Sequence, residues 1–537
     1  MTSVRALSVD TTQTAVRRAL PYLVLTACSV LYLYPFMRLL LHGPDEGTLI
    51  YGAERVAEGQ VPFRDFFEAM GPGTFYWLAI FFKLFGTTWV ATRISLLLTW
   101  LTTIVLMFHL SRRLRTGFDT VSAVVLLGSL FGPLWPTVSH HGDSTVFALL
   151  SFAVLLWSLE NPRPILFFAA GLLAGITTWF LQPKGFFLFV SYLLIVWLLF
   201  RKTSKVRSST LWLVAGYAAV SASVVLLFWT AGALPDLVYA NVVWPLTRYD
   251  RANSVTYGLG AIEFYWQRWT TTLVPLFSPV LGYCMSAILL VPFLLLMALP
   301  FLLVAFGAFK RSLAFTRATL PYWVAGVALW LSEIHRKDIM HLSYGSPLLL
   351  ILFFYLYPRL RLRWWSSILQ FVTICAFVLA AFNALVAMSA RTEIDTRRGV
   401  VHTFSSDPVL AFLNAHSGEE IFAYPYLPTN YFLAGAKNPT RFSLLIYRMH
   451  TNAQFREAVR ALDVKKVRYV LWDRGLDDES VKWLNPLGWR APGQDELIVE
   501  PYLRQNYDVI FEHGTVRILE RKGATAEQGS PAGLASH

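Results

Sequence analysis

Apolar runs long enough to cross a bilayer recur along the chain, near 21–41, 89–110, 119–137, 145–159, 164–181, 185–200, 211–232, 280–308, 318–334, 346–357 and 368–389. A hydrocarbon core takes roughly 20 apolar residues as a helix, because only a helix or a closed barrel satisfies its own backbone there. The pattern therefore predicts a polytopic α-helical membrane protein of about eleven spans. The stretch 270–310 is too long for one straight helix and holds Pro275, Pro279, Pro292 and Pro300. The basic cluster that follows it favours a single crossing preceded by a surface segment. Pro72–Phe85 is short, aromatic and mostly apolar, and reads as a helix lying at the interface.

After the last run the pattern changes. Residues 391–522 read as a small α/β domain, with helices over Asp407–His416 and Asn452–Lys465 and strands over Glu420–Tyr424 and Lys466–Trp472. Tyr507–Phe511 and Thr515–Glu520 read as a hairpin around His513-Gly514. The small, polar segment Gly523–His537 is expected to be disordered. The expected organisation is a membrane domain over 1–390 with a first outer loop over 42–88, the α/β domain over 391–522, and a tail over 523–537. The chain has no visible internal repeat.

Composition agrees. Of 537 residues, 55% are hydrophobic and 15% charged, against about 25% charged in a soluble protein. The net charge of +13 does not imply nucleic acid, because much of the basic excess lies in short connections between apolar runs. Arg112-Arg113 with Arg115, Arg163, Arg201-Lys202 with Lys205 and Arg207, Lys310-Arg311 with Arg317, and Arg359, Arg361 and Arg363 all follow even-numbered runs. Since basic residues mark cytoplasmic loops, the N-terminus is expected in the cytoplasm and the α/β domain outside it. Cys28, Cys284 and Cys375 are too scattered for a disulfide framework or a zinc site. Arg17-Arg18 and Leu25-Thr-Ala-Cys28 imitate a lipoprotein signal, but the apolar run continues past Cys28, so an uncleaved first helix is expected.

The chemically unusual residues fall on the predicted outer side. Asp45 and Glu46, within Leu41–Tyr51, sit where the first apolar run ends. A carboxylate at such a boundary is partly desolvated and more basic. His140-His141-Gly-Asp143, Gln182-Pro-Lys184 and Glu333–His341, with Arg336 and Lys337, lie in short outer loops. Arg93 lies about one helical turn inside the second run, where its guanidinium can snorkel outward. A longer outer loop over 233–269 is rich in Trp, Tyr and Arg.

Pro44-Asp-Glu-Gly47, Ala57-Glu-Gly-Gln-Val-Pro-Phe-Arg-Asp-Phe66, Phe81-Phe-Lys-Leu-Phe-Gly86 and Ala91-Thr-Arg-Ile94 together resemble the opening of the GT-C glycosyltransferases. The likeness is to their bacterial branch related to protein O-mannosyltransferases and lipid A aminoarabinose transferases. It is strongest over 40–115 and weaker through Phe180–Gly185 and Arg336–Pro347. The resemblance implies a bacterial inner-membrane, inverting enzyme. Such an enzyme moves a sugar from a polyprenyl-phosphate carrier to a hydroxyl of a lipid, glycan or protein acceptor outside the cytoplasm. Asp45 matches the family's catalytic aspartate and Glu46 the acid that often follows it. The sequence lacks a clear second Asp-Glu or Asp-X-Asp motif, which leaves any metal requirement open.

That chemistry needs a base for the acceptor hydroxyl, cations for the leaving phosphate and an apolar groove for the tail. Asp45 is the candidate base; Glu46 either assists or holds the backbone. Arg336, Lys337, His341, Lys184 and Arg93 are candidates for the carrier phosphate, against the plainer reading of solvated or helix-end charges. His140, His141 and Asp143 could line the site or hold a divalent metal with Asp45 or Glu46, or simply cap helices. Arg64 and Asp65 are expected to order the first loop. Tyr424, Tyr426, Tyr431 and Arg441 either face the acceptor or pack the outer domain. The rival readings are a transporter or lipid flippase, which commonly shows repeated halves and midplane charges, and a non-catalytic sensor built around the outer domain.

Overall fold

The computed structural model describes residues 19–41, 43–114, 136–249, 259–333, 339–360, 363–447, 449–476 and 492–523. The expected span over 119–137 and the tail over 523–537 therefore lie almost wholly outside the described residues. Helix α1 is Ala19–Phe36. It is followed by α2 (Pro44–Ala57), α3 (Gly73–Phe85), α4 (Trp89–Arg113), α5 (His140–Glu160), α6 (Pro164–Phe180), α7 (Gln182–Phe200) and α8 (Lys205–Thr230). Then come α9 (Leu259–Leu276), α10 (Pro279–Phe309), α11 (Leu320–Ser332), α12 (Ile339–Gly345), α13 (Pro347–Leu356) and α14 (Trp365–Ser389). Among the described residues seven helices are long and apolar enough to cross a membrane: α1, α4, α5, α7, α8, α10 and most of α14. The shorter apolar helices are α3, α6, α11 and the stretch from α13 to Leu360. Their outward faces are apolar, with Leu211, Trp229, Phe301, Phe309 and Phe371 exposed, as a lipid-facing surface requires.

Local chemistry sets the helix starts. The Thr88 and Ser139 side chains accept hydrogen bonds from Ala91 N–H and His141 N–H, both at 3.2 Å, capping α4 and α5. Proline opens α2, α6 and α13, where its missing N–H costs nothing. At 270–310 the chain breaks at Ser278, and α10 then runs 31 residues through Pro292 and Pro300. Helix α9 doubles back along it, with Tyr265 stacked on Phe293 at 5.1 Å and Trp266 on Tyr283 at 5.9 Å. Where a surface segment was expected before the crossing, the structure has this helix packed antiparallel against the long one. Helices α6 and α8 come together through glycines: a Cβ on Gly171 would lie 2.0 Å from Leu213 O, and one on Gly216 2.0 Å from Phe168 O.

The bundle has two distinct ends. Arg113 pairs with Glu160 at 2.6 Å where α4 and α5 finish. That end also carries Arg201-Lys202, Lys310-Arg311 and Arg359. The opposite end carries the C-terminal domain. A hairpin of β1 (Thr392–Thr396) and β2 (Gly399–Thr403) continues from α14. It is pinned to the bundle by Leu40 N–H to His402 O (2.9 Å) and Trp89 N–H to Arg398 O (2.7 Å).

Beyond it lie α15 (Pro408–Ala415), β3 (Ile421–Tyr424), α16 (Pro428–Ala434), α17 (Asn452–Val464), β4 (Tyr469–Asp473), α18 (Val499–Asn506), β5 (Tyr507–His513) and β6 (Val516–Arg521). The four-stranded sheet runs β3-β4-β6-β5, parallel between β3 and β4 and antiparallel elsewhere, with Phe422 opposite Val470 and Leu471 opposite Ile518. Phe422, Val470, Leu519, Phe455 and Leu503 form its core. Arg398 also pairs with Glu54 of α2, so the segment after α1 and the C-terminal domain share one interface.

Candidate functional site

Asp45 and Glu46 open α2 instead of ending in a loop. Gly43 is extended and Pro44 occupies the first helical position, so both carboxylates fall in the first turn. Consecutive helical residues point about 100° apart, and here that separates their roles. Asp45 is exposed, and among the described residues no hydrogen bond or ion pair holds its carboxylate. Glu46 points inward and is 1% exposed. Its Oε1 accepts from Arg93 Nη2 at 2.6 Å and from Val138 N–H at 2.7 Å. Arg93 also donates from Nη1 to Pro136 O at 2.8 Å and lies 3.8 Å from the centre of the Trp89 ring. Glu46 and Arg93 thus tie α2, α4 and the segment before α5 together. The guanidinium expected to snorkel towards a phosphate is instead turned in to this carboxylate.

A second cluster forms where α5, α7, α11 and α12 meet. The Lys184 ammonium is fully buried and lies 2.8 Å from Glu333 Oε1. It also donates to Thr145 Oγ1 at 2.8 Å and to His141 O at 3.3 Å. His141 Nδ1 lies 3.1 Å from Glu333 Oε2. The His141 ring meets those of His140 at 4.2 Å and His341 at 4.4 Å and stacks on Tyr344 at 5.8 Å. His141, Glu333 and His341 offer ligand atoms all within 4.8 Å of one another, a donor set that suits zinc. The Lys184 ammonium already neutralises Glu333, however, and a metal would have to displace it; the residues fit a metal poorly. The expected grouping of His140, His141 and Asp143 with Asp45 or Glu46 is not the one formed. Asp143 instead accepts from Thr99 Oγ1 at 2.9 Å and Thr74 Oγ1 at 3.2 Å, tying α5 to α3 and α4.

Arg64 pairs with Asp65 at 2.8 Å and donates to Ala231 O at 2.6 Å, while Asp65 Oδ2 accepts from Val61 N–H at 2.7 Å. The Arg64 hydrogen bond holds the Asp65 carboxyl below its usual range. Arg336 and Lys337 lie outside the described residues.

Tyr431 stacks on Tyr51 of α2 at 4.9 Å, and Tyr424 donates to the buried Glu500 at 2.5 Å. Both pack the C-terminal domain. Arg441 pairs with Glu457 at 2.7 Å.

Sequence reasoning missed two buried charged residues, Glu68 and Arg55. Glu68 is 5% exposed and lies near Asp45, Arg55 and Ser443. Burial pushes its carboxyl up to about 8, and the negative charge of Asp45 adds to the shift. Arg55 donates to Gln60 Oε1 and to Asp65 O, both at 2.7 Å, and lies over Phe66 at 4.8 Å. A lone carboxylate in the apolar stretch Phe66-Phe-Glu-Ala-Met70 was the available signal.

No family model matches the chain, and no curated protein matches it in sequence. Its fold does match solved structures along nearly its whole length. The structure of ArnT from Cupriavidus metallidurans bound to undecaprenyl phosphate aligns over 95% of this chain and 99% of that one, at 12% identity and a TM-score of 0.53. The same protein in the apo state aligns over 94% and 98%, at 13% identity and 0.50. The Archaeoglobus fulgidus oligosaccharyltransferase in complex with zinc and sulfate aligns over 90% of this chain and 71% of that one, at 11% identity and 0.50. At these identities the likeness is one of fold. The chain shares the fold of these structures, a polytopic helical bundle carrying a small sheet domain at one end.

Proposed function

We propose that the chain is a membrane-embedded glycosyltransferase that moves a sugar from a polyprenyl-phosphate carrier to an acceptor hydroxyl on the extracytoplasmic face, with inversion. The observation that carries this reading is the exposed carboxylate of Asp45, which no hydrogen bond or ion pair holds among the described residues, placed at the start of α2 against the C-terminal domain in a fold that matches ArnT with undecaprenyl phosphate from end to end. Asp45 takes the acceptor proton as the hydroxyl oxygen attacks the anomeric carbon. The carbon–oxygen bond to phosphate breaks, and the polyprenyl phosphate leaves with the bonding electrons. Arg336 and Lys337 stabilise that phosphate, with His341 at the edge of the same region. Lys184 acts through Glu333 by fixing the end of α11, and Arg93 acts through Glu46 by fixing the start of α2. The basic end of the bundle faces the cytoplasm of a bacterial inner membrane and the sheet domain faces away from it.

The test is reconstitution of the purified full chain in liposomes with a panel of labelled undecaprenyl-phosphate sugars and lipid, glycan and peptide acceptors. The product is examined for the configuration at the anomeric carbon. Transfer with inverted configuration is expected. A folded protein that transfers nothing across the panel, or transfers with retention, overturns the proposal.

A further inference from the structure

A cleft of about 410 Å³ opens where the segment after α8 meets the C-terminal domain. Its walls are Arg248, Tyr447, His450, Thr451, Asn452 and Glu496. Each carries a polar group, so the occupant is hydrophilic and a polyprenyl tail is excluded. Arg248 comes from the π-helical turn Pro245–Tyr249 and Glu496 from the turn before α18. The other four come from the start of α17 and the loop before it. Hydrogen bonds fix the walls: Trp244 Nε1 donates to Met449 O at 2.8 Å, Ile498 N–H to Tyr447 Oη at 2.7 Å, and Tyr447 Oη to Glu500 Oε2 at 2.7 Å. None of the six belongs to α2 or to the Lys184 cluster.

The cleft is rich in donors. His450 is 8% exposed, and its ring packs against Phe67 at 5.7 Å, Phe442 at 6.1 Å and Phe455 at 6.4 Å. Its Nδ1 lies 3.1 Å from Ile446 N and 3.3 Å from Ile446 O. That oxygen already accepts from the N–H groups of Met449 and His450. Nδ1 therefore accepts from Ile446 N–H, and the ring proton sits on Nε2. No hydrogen bond takes this N–H among the described residues, and it is the polar edge the ring has left for the cleft. Burial brings the imidazole down to about 4, which keeps it a neutral donor at pH 7. Thr451 caps α17 by accepting from Gln454 N–H at 3.2 Å. The N–H groups of Asn452 and Ala453 at the same helix end find no acceptor among the described residues. The half-buried Arg248 guanidinium makes no hydrogen bond or ion pair among them either.

A guanidinium, an imidazole N–H and a helix start together select an anion. Glu496, whose Oε2 accepts from Gly493 N–H at 2.9 Å, sets one negative charge on the same wall and disfavours a doubly charged phosphate. A carboxylate carries a single charge on two coplanar oxygens, which match the fork of an arginine. Glu496 and the Asn452 amide then suit hydroxyl groups of the ring that bears it.

We propose that this cleft binds the carboxylate of an acidic sugar, so that the acceptor is a glycan containing a uronic acid. That the glycan is an acceptor rests on the glycosyltransferase reading; that it binds does not.

The experiment is equilibrium dialysis of the full-length protein in detergent against a labelled tetrasaccharide of alternating glucuronic acid and N-acetylglucosamine. The comparison is the same tetrasaccharide with its carboxyl groups reduced to alcohols. The acid form is expected to bind about tenfold more tightly, and an excess of inorganic phosphate is expected not to displace it. Arg248→Gln loses the preference. So does His450→Asn, whose side-chain oxygen stands where Nδ1 does and keeps the bond to Ile446 N–H. Glu496→Gln binds the acid form several-fold more tightly, and Asp45→Asn binds it as the wild type does. Should His450→Asn fail to fold, Arg248→Gln and Glu496→Gln, changed at side chains that are not buried, decide.

Equal binding of the two forms, binding of neither, or an Arg248→Gln protein that keeps the full preference overturns the site. Displacement by inorganic phosphate overturns the assignment to a carboxylate. Selective binding by a protein that transfers sugar from no carrier overturns the glycosyltransferase reading and leaves the cleft standing. Transfer that proceeds equally to the acid and the reduced acceptor does the reverse.

Discussion

Asp45 and Glu46 are neighbours in sequence with opposite physical fates. Glu46 is buried against Arg93 at 2.6 Å, and a buried pair broken on one side leaves an uncompensated charge costing roughly 3–5 kcal/mol. Arg93→Met is therefore expected to lower the unfolding temperature steeply, while the folded fraction keeps its KM for the carrier. Adding Glu46→Leu should recover most of the loss. A raised KM at unchanged stability would instead return Arg93 to the phosphate.

Glu68 makes a pH-dependent contribution whose sign is fixed. Its folded-state carboxyl titrates at about 8 against an ordinary 4.5, so between those values the folded protein holds a proton that the unfolded chain has released. The stability it contributes is full below about pH 4.5 and is lost as pH rises through 8, by at most roughly 5 kcal/mol. Unfolding temperature measured from pH 5 to 9 should fall more in the wild type than in Glu68→Gln. Parallel curves would contradict it.

At this scale the sequence exposed Asp45 well, since an acid at the end of an apolar run is conspicuous. It hid the partners of Arg93, Lys184 and Asp143, because Glu46, Glu333, Thr74 and Thr99 lie far away along the chain. Nothing local marks such pairs.

The membrane helices were legible because apolar runs of this length have few alternatives. The helix expected over Pro72–Phe85 is α3, and the helices and strands expected over 391–522 correspond closely to α15, α17, β3, β4, β5 and β6. Helix α2 was less legible. Its Gly47, Gly52 and several charges break an apolar pattern, and it is held by tertiary contacts such as Tyr51 on Tyr431. Pairing between helices was not legible at all, and the α6–α8 contact illustrates the reason: it depends on Gly171 and Gly216 falling opposite backbone carbonyls. Small residues permit such close approach in membranes. Gly216→Leu should force these helices apart, visible as reduced yield of folded protein in detergent and a lower unfolding temperature. Gly232→Leu controls for backbone strain at a site where a Cβ meets nothing, since Gly232 has a positive φ. Equal behaviour of the two variants would mean that close packing at Gly216 contributes little.

For the molecule as a whole, the proposed orientation rests on separation of charge. Basic clusters gather at one end and the sheet domain at the other. In a background with Cys28, Cys284 and Cys375 replaced by alanine, Lys437→Cys should react with a membrane-impermeant maleimide in spheroplasts, and Lys310→Cys only after permeabilisation. Both lysines are exposed, so the reverse pattern would invert the topology and place Asp45 on the cytoplasmic side.

The account's central claim is that the Asp45 carboxylate is the base in a sugar transfer. The most direct measurement is the single-turnover rate of labelled sugar transfer by wild type and Asp45→Asn, with both shown to be folded and to bind the carrier equally. General-base catalysis contributes about 10²–10⁴-fold. The predicted result is a rate loss of that order in Asp45→Asn at unchanged carrier affinity. Equal rates would contradict the claim and take the base away from Asp45.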